Sequence, residues 1–173
     1  MKSQEVPRPF KPAGEPQVRR LGEGDWAALR TARLAALADA PYAFGSTLAR
    51  ERDFGEDVWR ARTHSGAVFA AWSDRVIVGL ATSRLDPEEP GCELVGMWVS
   101  SRWRGTGVAG RLVGAVCEHA REAGGDWIGL WVTEANPRAR AFYTRLGFEP
   151  TGARQLVRPD EPGQFEVEMT RRL

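Results

Sequence analysis

Several residue types that carry particular functions are scarce in this chain. Its two cysteines, Cys92 and Cys117, have neither metal-site nor redox-motif spacing, which fits a cytoplasmic location. Both lysines, Lys2 and Lys11, lie near the N-terminus, so none stands at a helix start where it could contact nucleotide phosphates. No apolar run approaches the roughly 20 residues of a membrane helix, and the first residues do not form a secretory signal.

Charge and composition limit the remaining classes. A net charge of +1 gives no field that favours nucleic acid or a membrane surface as partner. With 173 residues and 42% hydrophobic residues, the chain can bury one core. Residues 1–16 contain four prolines and few apolar residues, which predicts a flexible arm, and residues 17–173 then form a single domain.

Hydrophobic periodicity predicts alternating strands and helices. Strands are expected at 18–21, 67–72, 76–84, 93–99, 126–132, 148–151 and 165–171, and helices at 25–39, 58–62, 108–123 and 137–146. This order indicates an α/β fold with a mixed sheet of about seven strands and helices on both faces. The strands before and after the third helix are parallel if that helix crosses over right-handed.

The most informative stretch is residues 93–123, which reads as a strand, a glycine-rich turn and a helix. Gly105, Gly107 and Gly110 remove side chains that would keep an anion from the backbone amides at the helix start. A nucleotide-triphosphate loop is excluded because no lysine follows the turn. A nicotinamide dinucleotide site matches the glycine spacing, but no series of βαβ units surrounds it.

A third interpretation fits better. The run Arg104-Gly-Thr-Gly-Val-Ala109, with Val99 five residues earlier, resembles the coenzyme A pyrophosphate loop of the GNAT superfamily of N-acetyltransferases. A second block, Asn136-Pro-Arg-Ala-Arg-Ala-Phe-Tyr-Thr-Arg-Leu-Gly-Phe148, resembles another block of that superfamily. The resemblance covers roughly residues 18–173. It implies a GNAT-type sheet with a splay between strands 4 and 5, acetyl-CoA as co-substrate and no metal.

The resemblance also implies which residues contact the coenzyme. The backbone of Met97 and Val99 would pair with the pantetheine arm, and the Val99 N–H would stabilise the oxyanion. Asn136 would bond the arm, cap the last helix, or do both. The Arg104 side chain would pair with a phosphate or point to solvent. The diphosphate would bind backbone amides of Arg104, Gly105, Thr106, Gly107, Val108 and Ala109.

Acyl transfer to an amine needs an acid for the departing thiolate, and Tyr143 is the candidate. Phe142 and Leu146 are expected to take the buried stripe of their helix, which would turn Tyr143 toward the gap between the diverging strands. The alternative is a tyrosine that only anchors the core.

Glu93 is the candidate base. By strand alternation it shares a face with Val95, Met97 and Val99, and burial there would raise its pKa toward a useful range. The alternative places Glu93 at the exposed start of its strand. Glu134 is a weaker substitute, and His64 and His119 are interpreted as surface or packing residues.

The resemblance also implies that residues 41–59 fold over the acceptor, with Tyr42, Phe44 and Glu51 as candidate contacts. Four acidic residues would attract a cationic amine, although a solvated helix flank also explains them; they are Glu51, Asp53, Glu56 and Asp57. The sequence therefore predicts an N-acetyltransferase that moves an acetyl group from acetyl-CoA to a primary amine of a small molecule by direct attack on the thioester. A protein or peptide acceptor, a non-catalytic acyl-CoA sensor and a homodimer remain open.

Overall fold

The computed structural model describes residues 14–65, 67–85, 88, 90–159 and 162–173. Its strands form one seven-stranded sheet in the order β1-β2-β3-β4-β5-β7-β6. The strands are β1 (Gln17–Arg20), β2 (Ala67–Ser73), β3 (Val76–Leu85), β4 (Gly91–Val99), β5 (Trp127–Thr133), β6 (Glu149–Leu156) and β7 (Phe165–Arg172). The helices are α1 (Trp26–Asp39), α2 (Leu48–Arg52), α3 (Glu56–Ser65), α4 (Val108–Glu122) and α5 (Pro137–Arg145).

Two apolar clusters cover the two faces of the sheet. On one face α4 buries a helical stripe of Val108, Leu112, Val116 and Ala120, each 0% exposed. The other face packs against two helices, α1 through Leu29, Ala36 and Leu37, and α3 through Trp59. Burial of both faces explains why the central strands read as continuous apolar runs. The predicted mixed sheet with helices on both faces is confirmed.

The sheet opens between β4 and β5. These two strands are its only parallel pair in the described part of the chain, and α4 connects them. They pair only from Gly91, opposite Trp127, to Glu93, opposite Gly129. From Leu94 and Leu130 onward the two strands have no pairing, so their main-chain groups face a gap. The predicted splay between strands 4 and 5 is confirmed.

A bulge in β4 changes which side chains face which side. Thr82 of β3 lies opposite Val95, and Leu80 lies opposite Trp98, so β4 contains one extra residue there. Gly96 has a φ of +64°, a conformation that glycine adopts without a steric penalty. The alternation of side chains therefore reverses within β4.

Helix α2 forms between the helices predicted at 25–39 and 58–62, where the sequence analysis predicts none. Thr47 is its N-cap, because the Arg50 N–H donates to Thr47 Oγ1 at 3.2 Å. The predicted arm lies largely outside the described residues, and Glu15 near its end pairs with Arg111 at 2.6 Å. In the described part of the chain no helix combines the length and apolarity needed to span a bilayer.

Candidate active site

The glycine-rich turn leads directly into α4. Gly105 and Gly107 have φ values of +82° and +87°, and no atom lies within 4 Å of where a Cβ would be on either. Trp103 is buried in the core, and its carbonyl accepts a hydrogen bond from Thr106 Oγ1 at 2.7 Å. The turn is thus anchored on one side and open on the other.

Several amides in this turn remain available to a ligand. Arg111 N–H donates to the Gly107 carbonyl, which makes it the first α-helical bond of α4. No carbonyl in the described part of the chain accepts from the amides of Gly105, Gly107, Val108, Ala109 or Gly110. Unpaired amides at a helix N-terminus, together with the helix dipole, favour an anion such as a diphosphate. The turn therefore fits the diphosphate of coenzyme A.

The Arg104 side chain takes neither of its two predicted directions. Its Nε donates to the Val99 carbonyl at 2.9 Å, and its Nη2 pairs with Asp39 at the end of α1. Asp39 also accepts from Trp98 Nε1 at 2.9 Å. Arg104 thus ties the turn to β4 and α1 through its Nε and Nη2.

The Val99 amide points into the gap. Ser100 N–H donates to the Val78 carbonyl at 2.9 Å, and hydrogen bonding alternates along an antiparallel pair. Val99, paired opposite Gly79, therefore directs its N–H away from β3 and toward β5. This is the orientation that the oxyanion hypothesis requires.

A cavity of about 1000 Å³ lies on the α1 side of the sheet and extends along the gap. Among the candidate residues it is lined by Phe44, Glu51, Glu93, Met97, Asn136 and Tyr143. Val99 and the turn from Arg104 to Ala109 lie outside it, which is consistent with a coenzyme that enters the gap from the turn. Tyr42 also lies outside the cavity and is 42% exposed, so nothing places it at the acceptor.

Tyr143 reaches the cavity differently from the prediction. It is the buried residue of α5, at 7% exposure, whereas Phe142 and Leu146 are only partly buried. Its ring contacts those of Phe142 and Phe148 at centroid distances of 5.1 and 5.6 Å. Burial raises the pKa of the phenol, which keeps it protonated. Tyr143 is thus both a core residue and part of the cavity wall.

Asn136 caps α5, as predicted. Its side-chain oxygen accepts from the Ala139 N–H at 3.0 Å, and Pro137 occupies the first helical position. The cap uses the oxygen and leaves the side-chain NH₂ for a ligand in the cavity.

The predicted environment of Glu93 is wrong in one respect. The bulge at Gly96 separates its face from that of Val99, because Leu94 and Val99 both pack in the cluster with α4. Arg84, opposite Glu93 on β3, forms an ion pair with it. Glu93 still lines the cavity at the point where β4 and β5 part.

Sequence reasoning missed a second carboxylate, that of Glu166 on β7. Glu166 lines the same cavity and accepts from Gln155 Nε2 at 2.8 Å. Burial raises the pKa of Glu166, the bond from Gln155 opposes that rise, and the negative charge of Glu93 adds to it. The signal available in the sequence was strand alternation, which places Glu166 and Glu168 on one face of β7. Glu134, the weaker substitute, lies outside the cavity and pairs with Arg154 at 2.9 Å.

Glu51 does not form an acidic rim. It is 1% exposed and accepts hydrogen bonds from Arg33 at 2.8 Å and from Arg62 at 2.7 Å. Despite the burial, these guanidinium groups lower its pKa to about 2. The other three acidic residues of this segment, Asp53, Glu56 and Asp57, do not line the cavity. The cavity wall here is therefore rich in arginine.

Comparison with known structures supports the fold. yncA of Salmonella typhimurium, solved with its cofactor acetyl-CoA, has a TM-score of 0.74 at 19% identity over 92% of this chain and 95% of that one. A ribosomal-protein-alanine N-acetyltransferase from Brucella melitensis gives 0.66 at 23% identity over 91% and 99%. An acetyltransferase of the GNAT family from Streptococcus pneumoniae gives 0.71 at 16% identity over 92% and 100%.

Comparison with curated proteins finds no significant sequence match. The sequence model of the Acetyltransferase (GNAT) family, in contrast, matches residues 31–148, which include β2 to β5, the glycine-rich turn and α5. This match covers more than half of the chain, and the protein therefore belongs to the acetyltransferase (GNAT) family.

Proposed function

We propose that this protein transfers the acetyl group of acetyl-CoA to the primary amine of a small molecule, by direct attack of the amine on the thioester. Acetyl transfer from acetyl-CoA follows from membership of the family. The amine acceptor and the direct attack are proposed from one observation: Tyr143, Glu93 and Glu166 line one cavity at the gap between β4 and β5.

Each of these groups has a role in the proposed reaction. Glu166 accepts a proton from the ammonium of the acceptor, because its raised pKa lies closer to the working range of a base. Glu93, held by Arg84, keeps its negative charge close to Glu166. The neutral amine then forms its bond to the carbonyl carbon.

The remaining steps concern the oxygen and the sulfur of the thioester. The Val99 N–H donates to the carbonyl oxygen as it gains negative charge, a contribution of about 3 kcal/mol in comparable oxyanion sites. Tyr143 donates its hydroxyl proton to the sulfur as the carbon–sulfur bond breaks, and the second proton that the attacking nitrogen loses restores the hydroxyl. Acetyl-CoA supplies the activated acetyl group, and the amides from Gly105 to Gly110 hold its diphosphate.

The walls of the cavity favour a small acceptor over a protein. Phe44, Glu51 and Phe54 in the segment between α1 and α3 all line it. Arg158 in the β6–β7 connection donates to the Pro41 carbonyl at 2.8 Å, which joins two loops beside the cavity. A protein or peptide acceptor, such as the one named for the Brucella melitensis enzyme, would need an open groove in the place that these segments occupy.

A thiol-release assay with acetyl-CoA and a panel of small amines and peptides tests the proposal. We expect turnover with at least one class of small primary amine and none with peptides. Turnover with peptides alone would contradict the proposed acceptor. Tight acetyl-CoA binding with no turnover of any amine would support a sensor instead.

A further inference from the structure

The cavity of about 1000 Å³, in which the acceptor is proposed to bind, has two ends of opposite charge. Arg33 of α1, Arg50 of α2 and Arg62 of α3 line one end, on the helical side. Glu93 of β4 and Glu166 of β7 line the other, on the floor of the sheet. An acceptor that spans the cavity contacts both ends.

The arginine end carries an excess of positive charge. Glu51 is the only carboxylate among the described lining residues at this end, and it neutralises one of the three guanidinium groups. An excess of two positive charges remains. A charged group in a partly enclosed cavity acts more strongly than one in bulk water.

Aromatic rings hold two of these guanidinium groups in place. Arg33 lies over the ring of Phe44 at 4.6 Å, and Arg62 lies over that of Trp59 at 4.8 Å. Both also bond the fixed carboxylate of Glu51. Such pre-organised guanidinium groups suit recognition of a planar anion such as a carboxylate.

Arg33 reaches from the helical wall to the floor. Its Nε and Nη2 donate to Glu51, and its Nη1 lies 3.9 Å from the place that a Cβ on Gly96 would take. Gly96 forms the bulge of β4, three residues beyond Glu93. The Arg33 guanidinium therefore lies next to the gap. A single small molecule could contact both it and the carboxylates of Glu93 and Glu166.

The opposite end has an excess of negative charge. Of the two carboxylates, Arg84 neutralises that of Glu93, with which it forms an ion pair. Among the described residues, the hydrogen-bond partner of Glu166 is the neutral amide of Gln155, whose Nε2 donates to it at 2.8 Å. An ammonium group fits this end, where it can also transfer its proton.

We infer that the acceptor is a small primary amine with an anionic group, of the amino-acid type, whose amine lies at Glu166 and whose carboxylate lies at Arg33, Arg50 and Arg62. This inference rests on the proposed function and narrows its acceptor. An amino-acid acceptor differs from the purely cationic amine that the acidic residues from Glu51 to Asp57 suggested. A polyamine would place its second positive charge against the arginines.

A matched pair of acceptors tests the inference by thiol release. Free amino acids are compared with their carboxamides, which keep the side chain and the amine but lose the negative charge. We expect kcat/KM to be about 10- to 100-fold higher for the acid, the range of a charge-assisted hydrogen bond. Aminophosphonic acids form a second arm, which separates a requirement for a carboxylate from one for any anion.

Arg50→Gln tests the assignment of the arginine end with little risk to folding, because Arg50 is exposed and does not bond Glu51. We expect the acid-to-carboxamide ratio to fall about tenfold in this variant. Arg52→Gln, on the same helix but outside the cavity, is the control and should leave the ratio unchanged.

Three results would overturn the inference. If carboxamides or polyamines react as well as the acids, the acceptor needs no anion, although the proposed function stands. An acid-to-carboxamide ratio that is the same in Arg50→Gln and the unaltered protein would remove the arginines from recognition. If no amine reacts at all, the proposed function fails and the inference fails with it.

Discussion

At the scale of single residues, Tyr143 offers the sharpest test, because the chain has only one other tyrosine. Tyr143→Phe keeps the ring contacts with Phe142 and Phe148 and removes only the proton donor. We expect kcat to fall about 10²-fold or more, with little change in the KM for acetyl-CoA, as measured by steady-state thiol release.

Tyr42→Phe is the matched control, since Tyr42 is exposed and lies outside the cavity. It should leave both constants unchanged. Equal turnover in Tyr143→Phe and the unaltered protein would mean that Tyr143 only packs the core.

Glu166 can be tested through the pH dependence of kcat/KM. A base must be deprotonated, so a raised pKa places the acidic limb of the profile above the ordinary value for glutamate, about 4.3. Glu166→Gln should remove this limb and lower kcat/KM about 10²-fold. Glu168→Gln, on the same strand and bonded to Thr151, should keep the limb. A limb that survives in Glu166→Gln would return the role of base to Glu93.

Glu51 has a structural role, and its test is stability rather than rate. Its pKa falls from about 4.5 in the unfolded chain to about 2 in the fold, so the ionised form contributes about 3 kcal/mol above pH 5. This contribution is lost as pH falls from 5 toward 2. Glu51→Gln should therefore lower the free energy of unfolding at pH 7 by about that amount.

The difference between the two proteins should narrow by about 1 kcal/mol between pH 7 and pH 3.5, as measured by urea denaturation. A difference that stays constant over this range would show that the stabilisation does not come from the charge of Glu51.

At the scale of elements, the glycine-rich turn is the part that the sequence predicts best. Backbone conformation dictates residue type there, so Gly105 and Gly107 mark positive φ directly. The cap of α5 by Asn136 is equally local. The bulge of β4 is also marked by a glycine, Gly96, but simple alternation assumes a regular strand. That assumption put Glu93 on the same face as Val99.

Gly107→Ala tests the turn. A Cβ at a φ of +87° costs about 1–2 kcal/mol and would project beside the amides that are proposed to hold the diphosphate. We expect acetyl-CoA affinity, measured by calorimetry on the folded variant, to fall at least about tenfold.

Gly114→Ala is the control, because Gly114 lies on the exposed side of the same helix with no atom near its Cβ position. It should leave affinity unchanged and raise stability by about 0.5–1 kcal/mol. Equal affinity in Gly107→Ala and Gly114→Ala would place the diphosphate elsewhere.

At the scale of the whole molecule, the fold follows from the sequence because all seven strands and four of the five helices have a local signal, and the two sequence blocks identify the family to which that order of elements belongs. The charge distribution of the acceptor cavity does not, because it depends on residues brought together across the chain. Arg33 and Arg62 lie 18 and 11 positions from Glu51, and Glu166 is contributed by the last strand. Counting the acids from Glu51 to Asp57 does not reveal that Arg33 and Arg62 neutralise Glu51.

The central claim is that acetyl-CoA binds with its diphosphate on the amides from Gly105 to Gly110 and its thioester in the gap between β4 and β5. A crystal structure of the complex measures this directly. We predict diphosphate oxygens within about 3 Å of those amides and the thioester sulfur within hydrogen-bond reach of the Tyr143 hydroxyl. A complex in which the diphosphate lies away from the turn, or the thioester lies outside the gap, would contradict the account.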